Sequence, residues 1–79
     1  MTLIRQELRE ALQWRLDVVT DRELYEQDPE AHLEKLKLAS EKVERLAREL
    51  PPDADPMLRH YLERQSYVKA LDWLRAHTT

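Results

Sequence analysis

Residues 28–56 read DPEAHLEKLKLASEKVERLARELPPDADP, and this stretch decides the fold class. Asp28 is a typical N-cap residue, and the proline after it is well tolerated at the first position of a helix. An apolar stripe at helical spacing follows and ends before two prolines, which cannot continue a helix. The pattern predicts helix 2 over residues 29–50. Its stripe consists of Leu33, Leu36, Ala39, Ser40, Val43, Leu46, Ala47 and Leu50.

The segment before this helix is amphipathic as well. Apolar residues recur at helical spacing from Ile4 to Val19, so helix 1 is expected over about residues 2–27. Thr20 and Glu23 have the spacing of a capping box, which would start a new helix. A kink or break near Thr20 and one continuous helix both remain open.

The segment after residue 55 repeats the Asp-Pro start signal, and helix 3 is expected over about residues 56–76. The chain contains no glycine, whereas tight hairpins and phosphate-binding loops need residues that tolerate positive φ. The sequence therefore predicts an all-α fold. Short connections favour antiparallel neighbours, so residues 1–79 are expected to form a single domain, a small three-helix bundle with an up-down-up path. The alternative is a helical hairpin that completes its core only as a dimer.

Composition restricts the classes of function. The 79 residues hold 13 Lys and Arg against 16 Asp and Glu, a net charge of −3, which argues against a nucleic-acid partner. No apolar run approaches the roughly 20 residues of a membrane span, and the N-terminal residues show no export signal. A cytoplasmic location with no membrane association is therefore expected.

Candidate catalytic and metal-binding residues are sparse. There is no cysteine, and Ser40 and Ser66 lie in predicted helices without a sharp turn or a His/Asp partner. His60 and Glu63 could place two ligands on one helix face, but two ligands do not make a metal site. No catalytic residue, metal site or cofactor is predicted, and the chain is not expected to be an enzyme.

Polar side chains interrupt the apolar faces of helices 1 and 3. Arg15 lies midway in the apolar arc of helix 1, and burying an unpaired guanidinium is costly. A cross-helix cluster of Arg15 and Arg64 could bind a small anion, because guanidinium groups hold carboxylates and phosphates in a bidentate fork. In the simpler interpretation the charged heads reach water, or Arg15 pairs with a nearby acid. The polar-layer candidates are Arg15, Arg64, Gln65 and Asp72.

The chain has more apolar residues than one small core needs to bury. On helix 1 they span more than half of the circumference, a wider arc than a surface helix usually shows. Leu38 lies opposite the stripe of helix 2, and Trp73 lies off the main face of helix 3. Surplus apolar surface with tryptophan marks interfaces, although helix 1 could instead be central and contact both other helices. The interface candidates are Leu3, Leu12, Trp14, Leu16, Leu38 and Trp73.

These features predict a non-catalytic protein–protein interaction module or small subunit that uses the apolar face of helix 1. A homodimer is the simplest expectation, because most small oligomers are symmetric dimers, and a different protein partner is the other. The alternative function is a small-molecule or anion-binding helical enzyme built on the cluster of Arg15 and Arg64.

Overall fold

The computed structural model describes residues 3–52 and 54–77, and the side chain of Leu3 lies outside that description. The all-α fold class is confirmed, and no strand occurs in the described ranges. None of the helices in these ranges is both long enough and apolar enough to cross a membrane. The five helices are α1 Leu3–Val19, α2 Arg22–Gln27, α3 Pro29–Arg48, α4 Pro56–Glu63 and α5 Tyr67–His77.

The break near Thr20 is present, so a continuous helix over residues 2–27 is wrong. Thr20 is not the cap, however. The Asp21 carboxylate accepts a hydrogen bond from the Leu24 backbone N–H at 3.1 Å, which makes Asp21 the N-cap of α2. The Thr20 hydroxyl donates backwards to the Leu16 carbonyl at 2.9 Å. Thr20 therefore satisfies a carbonyl at the end of α1.

The α3 helix begins where the sequence predicts and ends slightly earlier. The Asp28 carboxylate accepts from the Ala31 N–H at 3.1 Å, and Pro29 occupies the first helical position. The helix ends at Arg48 rather than at residue 50. Residues that are adjacent in the chain, Asp28 and Pro29, therefore determine where α3 begins.

The α1 and α3 helices pack against each other and run antiparallel. His32 of α3 donates through Nε2 to the Val18 carbonyl at 2.7 Å, and Arg15 of α1 donates through Nε to Ser40 Oγ at 3.1 Å. From Arg15 to Val18 the chain of α1 moves forward, whereas the partner on α3 moves back from Ser40 to His32, so the two helices are antiparallel. Because α1 also contacts α5, it is the central helix.

Helix 3 is not continuous over residues 56–76, because the chain leaves the helix at residues 64–66. Gln65 has a positive φ of 56°. Its N–H donates to the Leu62 carbonyl at 3.1 Å, and the Ser66 N–H donates to the Tyr61 carbonyl at 2.8 Å. These two bonds form a Schellman motif, in which glycine usually takes the left-handed position. In a chain without glycine, glutamine takes that position here.

Replacing Gln65 with glycine is expected to raise the free energy of unfolding by about 0.5 to 1 kcal/mol. The left-handed conformation costs other residues about 1 to 2 kcal/mol, and the greater freedom of glycine in the unfolded chain cancels part of that gain. Gln65→Val is the opposite control and should destabilise the protein. Urea unfolding measures both variants, and a Gln65→Gly midpoint at or below that of the parent would contradict this conformation.

The core lies where α1, α3, α4 and α5 meet. It contains no charged side chain among the described residues, so apolar packing holds the helices together. The molecule is elongated, with extents of 42 × 23 × 21 Å. The core residues are Leu8, Ala11, Leu12, Val43, Leu46, Leu58, Leu62, Ala70, Leu71 and Leu74.

Candidate protein-interaction surface

Two of the predicted interface residues, Trp14 and Leu38, lie together on the surface of the molecule. Trp14 of α1 is 39 % exposed and Leu38 of α3 is 57 % exposed. Both line one open concavity of about 580 Å³, which we call the Trp14–Leu38 surface. The other residues that line it are charged, namely Glu41, Lys42, Glu44, Arg45 and Arg48.

Helical geometry explains why these two apolar side chains are exposed. Buried residues of α1 lie three positions before and four positions after Trp14, which places Trp14 at the edge of the core-facing arc. Leu38 lies on the flank of α3, roughly 100° around the helix from its buried residues. Because Arg15 bonds Ser40 and the two helices run antiparallel, Trp14 lies level with the turn of α3 that follows Ser40, and Leu38 lies just before Ser40. The antiparallel packing of α1 and α3 therefore brings the two side chains into one surface.

The prediction that Leu12 is an interface residue is wrong, because Leu12 lies in the core with 2 % of its surface exposed. Leu16 is half-buried and packs against the core. The wide apolar arc of α1 arises from its central position, since it has both α3 and α5 to contact. The side chain of Leu3 lies outside the described residues.

Trp73 is half-buried, and its indole ring has partners within the chain. The ring stacks on His77 with centroids 4.0 Å apart, and the Arg5 guanidinium lies 5.8 Å from its centre. His77 also contacts the Trp73 carbonyl through Nδ1 at 2.7 Å. Trp73 therefore stabilises the α1–α5 side of the molecule and does not belong to the Trp14–Leu38 surface.

Arg15 has its partners inside the molecule. The side chain is half-buried, and its Nε donates to Ser40 Oγ at 3.1 Å. Its guanidinium lies 4.6 Å from the centre of the Tyr67 ring, a cation–π contact. Neither partner is an acid. Arg15 thus joins α1 to both α3 and α5 through a hydroxyl and an aromatic ring.

The other polar-layer candidates, Arg64, Gln65 and Asp72, are all exposed. Arg15 and Gln65 line a concavity of about 320 Å³, but Arg64 does not line it. Arg15 and Arg64, which the sequence suggested as a pair for anion binding, therefore do not line this concavity together. That prediction assumed a continuous helix 3, whereas the chain leaves the helix at residue 64.

Potential metal ligands do not gather in the part of the chain that the structure describes. No group of three or more His, Cys, Asp or Glu side chains there could hold an ion. His32 donates to a backbone carbonyl and meets Tyr25 edge to face, with ring centroids 5.4 Å apart. His32 therefore ties α3 to α1 and α2.

Sequence reasoning did not single out Tyr67, which lies between two charged groups. Partial burial raises the pKa of its hydroxyl above the ordinary value, and the Glu44 carboxylate raises it further, while Arg15 opposes both. Tyr67 also borders a concavity of about 340 Å³ on the side of Glu44. No spacing signal identifies such a residue, because its environment comes from three different helices.

Tyr67 should make the protein less stable at alkaline pH. A raised pKa in the folded state means that the stabilisation is fully present below the unfolded pKa of about 10 and is lost as the pH rises through the folded pKa. Tyr67→Phe should therefore show a flatter fall in unfolding free energy between about pH 9 and pH 11. Urea unfolding across this range measures it, and equal slopes for parent and variant would contradict the raised pKa.

No family model, curated protein or solved structure matches this chain.

Proposed function

We propose that this chain is a non-catalytic protein–protein interaction module that docks through the Trp14–Leu38 surface. The observation that carries the proposal is that two large apolar side chains from different helices line one concavity while 39 % and 57 % exposed. Grouped apolar side chains on the surface of a small domain are typical of docking sites. Tryptophan is also among the residues that contribute most to binding when an interface covers them.

The surroundings of Trp14 and Leu38 support the proposal. Five charged residues line the same concavity, so apolar and charged side chains occur together on this surface. Interfaces between proteins combine the same two kinds of side chain, apolar ones that lose water and polar ones that remain hydrated. Trp14 also borders a neighbouring concavity of about 360 Å³, where Arg75 donates through Nη2 to the Gln13 side chain.

The proposal includes a location and a path for the chain. We propose that the module is cytoplasmic and that its helices follow an up-down-up path. The antiparallel packing of α1 and α3 supports the first two segments of that path. In this path α4 and α5 together form the third segment, divided by the turn at Gln65.

A side chain that serves docking is dispensable for the folding of the single chain. Leu38→Ser should change the free energy of unfolding by no more than about 1 kcal/mol, because Leu38 is 57 % exposed and lies outside the core. The matched control is Leu46→Ser on the same helix as Leu38, where the parent side chain is 3 % exposed. That control should lose about 3 kcal/mol or more.

The comparison uses urea unfolding at the lowest protein concentration that gives a signal, so that association does not contribute. If Leu38→Ser costs as much as Leu46→Ser, Leu38 serves folding and the Trp14–Leu38 surface is not a docking site.

A further inference from the structure

We propose that the occupant of the Trp14–Leu38 surface is a second copy of this chain, related by a two-fold axis that sets the two α3 helices antiparallel. This inference rests on the proposed function and adds the partner and its orientation. It follows from the order of charges along α3, from the position of Trp14 and from the shape of the molecule.

The exposed face of α3 has an asymmetric order of residues. Positions 38, 41, 45 and 48 are all exposed, line the Trp14–Leu38 surface and share one helix face by their spacing. Along the chain they are Leu38, Glu41, Arg45 and Arg48. The apolar and acidic positions therefore lie toward the N-terminus of α3, and the two basic positions lie toward its C-terminus.

This order is complementary to itself in only one direction. In a parallel pair each position of the face meets its own copy, so Arg45 would lie against Arg45 of the second copy. Like charges in contact across an interface oppose association. In an antiparallel pair centred near residue 43, Glu41 meets Arg45 of the second copy, and the same contact forms again on the other side of the axis. The aliphatic stem of Arg48 then covers Leu38 of the second copy.

Trp14 lies close to the position of this two-fold axis along α3. Its neighbour Arg15 bonds Ser40, so Trp14 is level with the part of α3 that precedes residue 43. An antiparallel two-fold axis places both copies of α1 on the same side of the α3 pair, which brings the two Trp14 rings toward each other. Buried aromatic side chains near the centre of an interface are the usual anchors of binding.

The shape of the molecule provides room for the contact. The molecule is 42 Å long but only 21 to 23 Å across, and the 20 residues of α3 span about 30 Å. Contact along α3 and the edge of α1 therefore uses the long side of the molecule. A stable dimer needs about 800 Å² from each partner, which favours the long side over an end.

The test exchanges the charges of the proposed pair. Glu41→Arg alone places two arginines against each other, and Arg45→Glu alone places two glutamates against each other. Each single variant should dimerise at least about tenfold more weakly than the parent, because like charges then meet twice in every dimer. An equimolar mixture of the two variants restores both contacts and should form a heterodimer.

Sedimentation equilibrium measures the masses, native mass spectrometry identifies the heterodimer, and circular dichroism checks that each variant is folded. Glu63→Arg is the matched control, since Glu63 is exposed on α4 outside the Trp14–Leu38 surface. It should leave the dimer intact. A heterodimer that forms only in the mixture supports the antiparallel arrangement.

Two results would overturn the inference without touching the proposed function. One is a parent protein that remains monomeric at all concentrations while Leu38→Ser stays stable. The partner of the Trp14–Leu38 surface would then be a different protein. The other is a parent dimer that Trp14→Ser dissociates but whose charge variants do not recombine, which rejects the antiparallel arrangement.

Discussion

Leu8→Ala is expected to lower the free energy of unfolding by about 3 to 5 kcal/mol, because the removed side chain leaves a cavity that the surrounding helices fill only in part. Leu8 is fully buried on the central helix α1 and belongs to the core cluster that joins α1, α3, α4 and α5. The free energy of unfolding of a small domain is only about 5 to 15 kcal/mol, so the variant should melt at a much lower temperature than the parent. Urea and thermal unfolding measure the loss.

The matched control for this prediction is Leu33→Ala, which makes the same chemical change at a position that is 65 % exposed. It should cost less than about 1 kcal/mol. Similar losses at the two positions would mean that α1 does not hold the central place in the core described above.

Leu12→Glu is expected to prevent stable folding at neutral pH. Leu12 is 2 % exposed, and a carboxylate at that position would be buried in the core. An unpaired buried charge costs more than about 4 kcal/mol, a large part of the stability of a small domain. Far-UV circular dichroism should show the loss of most of the helix signal.

Trp14→Glu on the same helix is the control for Leu12→Glu, because its side chain is already 39 % exposed. Circular dichroism should show that its helix content equals that of the parent. A folded Leu12→Glu protein would place Leu12 on the surface and return it to the interface candidates.

Local signals in the sequence predicted the helix starts well. Asp28 and Asp55 cap α3 and α4 in the structure, each followed by proline at the first helical position. These starts depend on residues next to each other in the chain, so no knowledge of the tertiary fold is needed. The break near Thr20 was recognisable for the same reason, although the cap lies one residue later at Asp21.

Features that depend on tertiary packing were not predictable from periodicity. Gln65 gives no turn signal of its own, and its left-handed conformation divides helix 3 in two. Leu33 and Val68 fit helical stripes but are 65 % and 57 % exposed. Periodicity identifies the face of a helix but not the length over which another helix covers it.

Tertiary packing also decides which of the predicted interface residues are exposed. Leu38 was chosen because it lies off the apolar stripe of its helix, and it is exposed. Trp14 and Leu12 were both chosen from the width of the apolar arc on helix 1, yet Trp14 is exposed and Leu12 is buried, because a central helix needs much of that width to contact two neighbours. The sequence predicted that α1 and α3 run antiparallel, but not the register, marked by Arg15 and Ser40, that lets Trp14 and Leu38 line one concavity.

The decisive measurement is the molar mass of the parent protein by light scattering across a concentration series. A second copy on the Trp14–Leu38 surface requires the mass to rise from 9.5 kDa toward twice 9.5 kDa as the concentration increases. Trp14→Ser should remain at 9.5 kDa under the same conditions. A parent mass of 9.5 kDa at every concentration, or a Trp14→Ser protein that dimerises as tightly as the parent, would contradict a dimer formed through this surface.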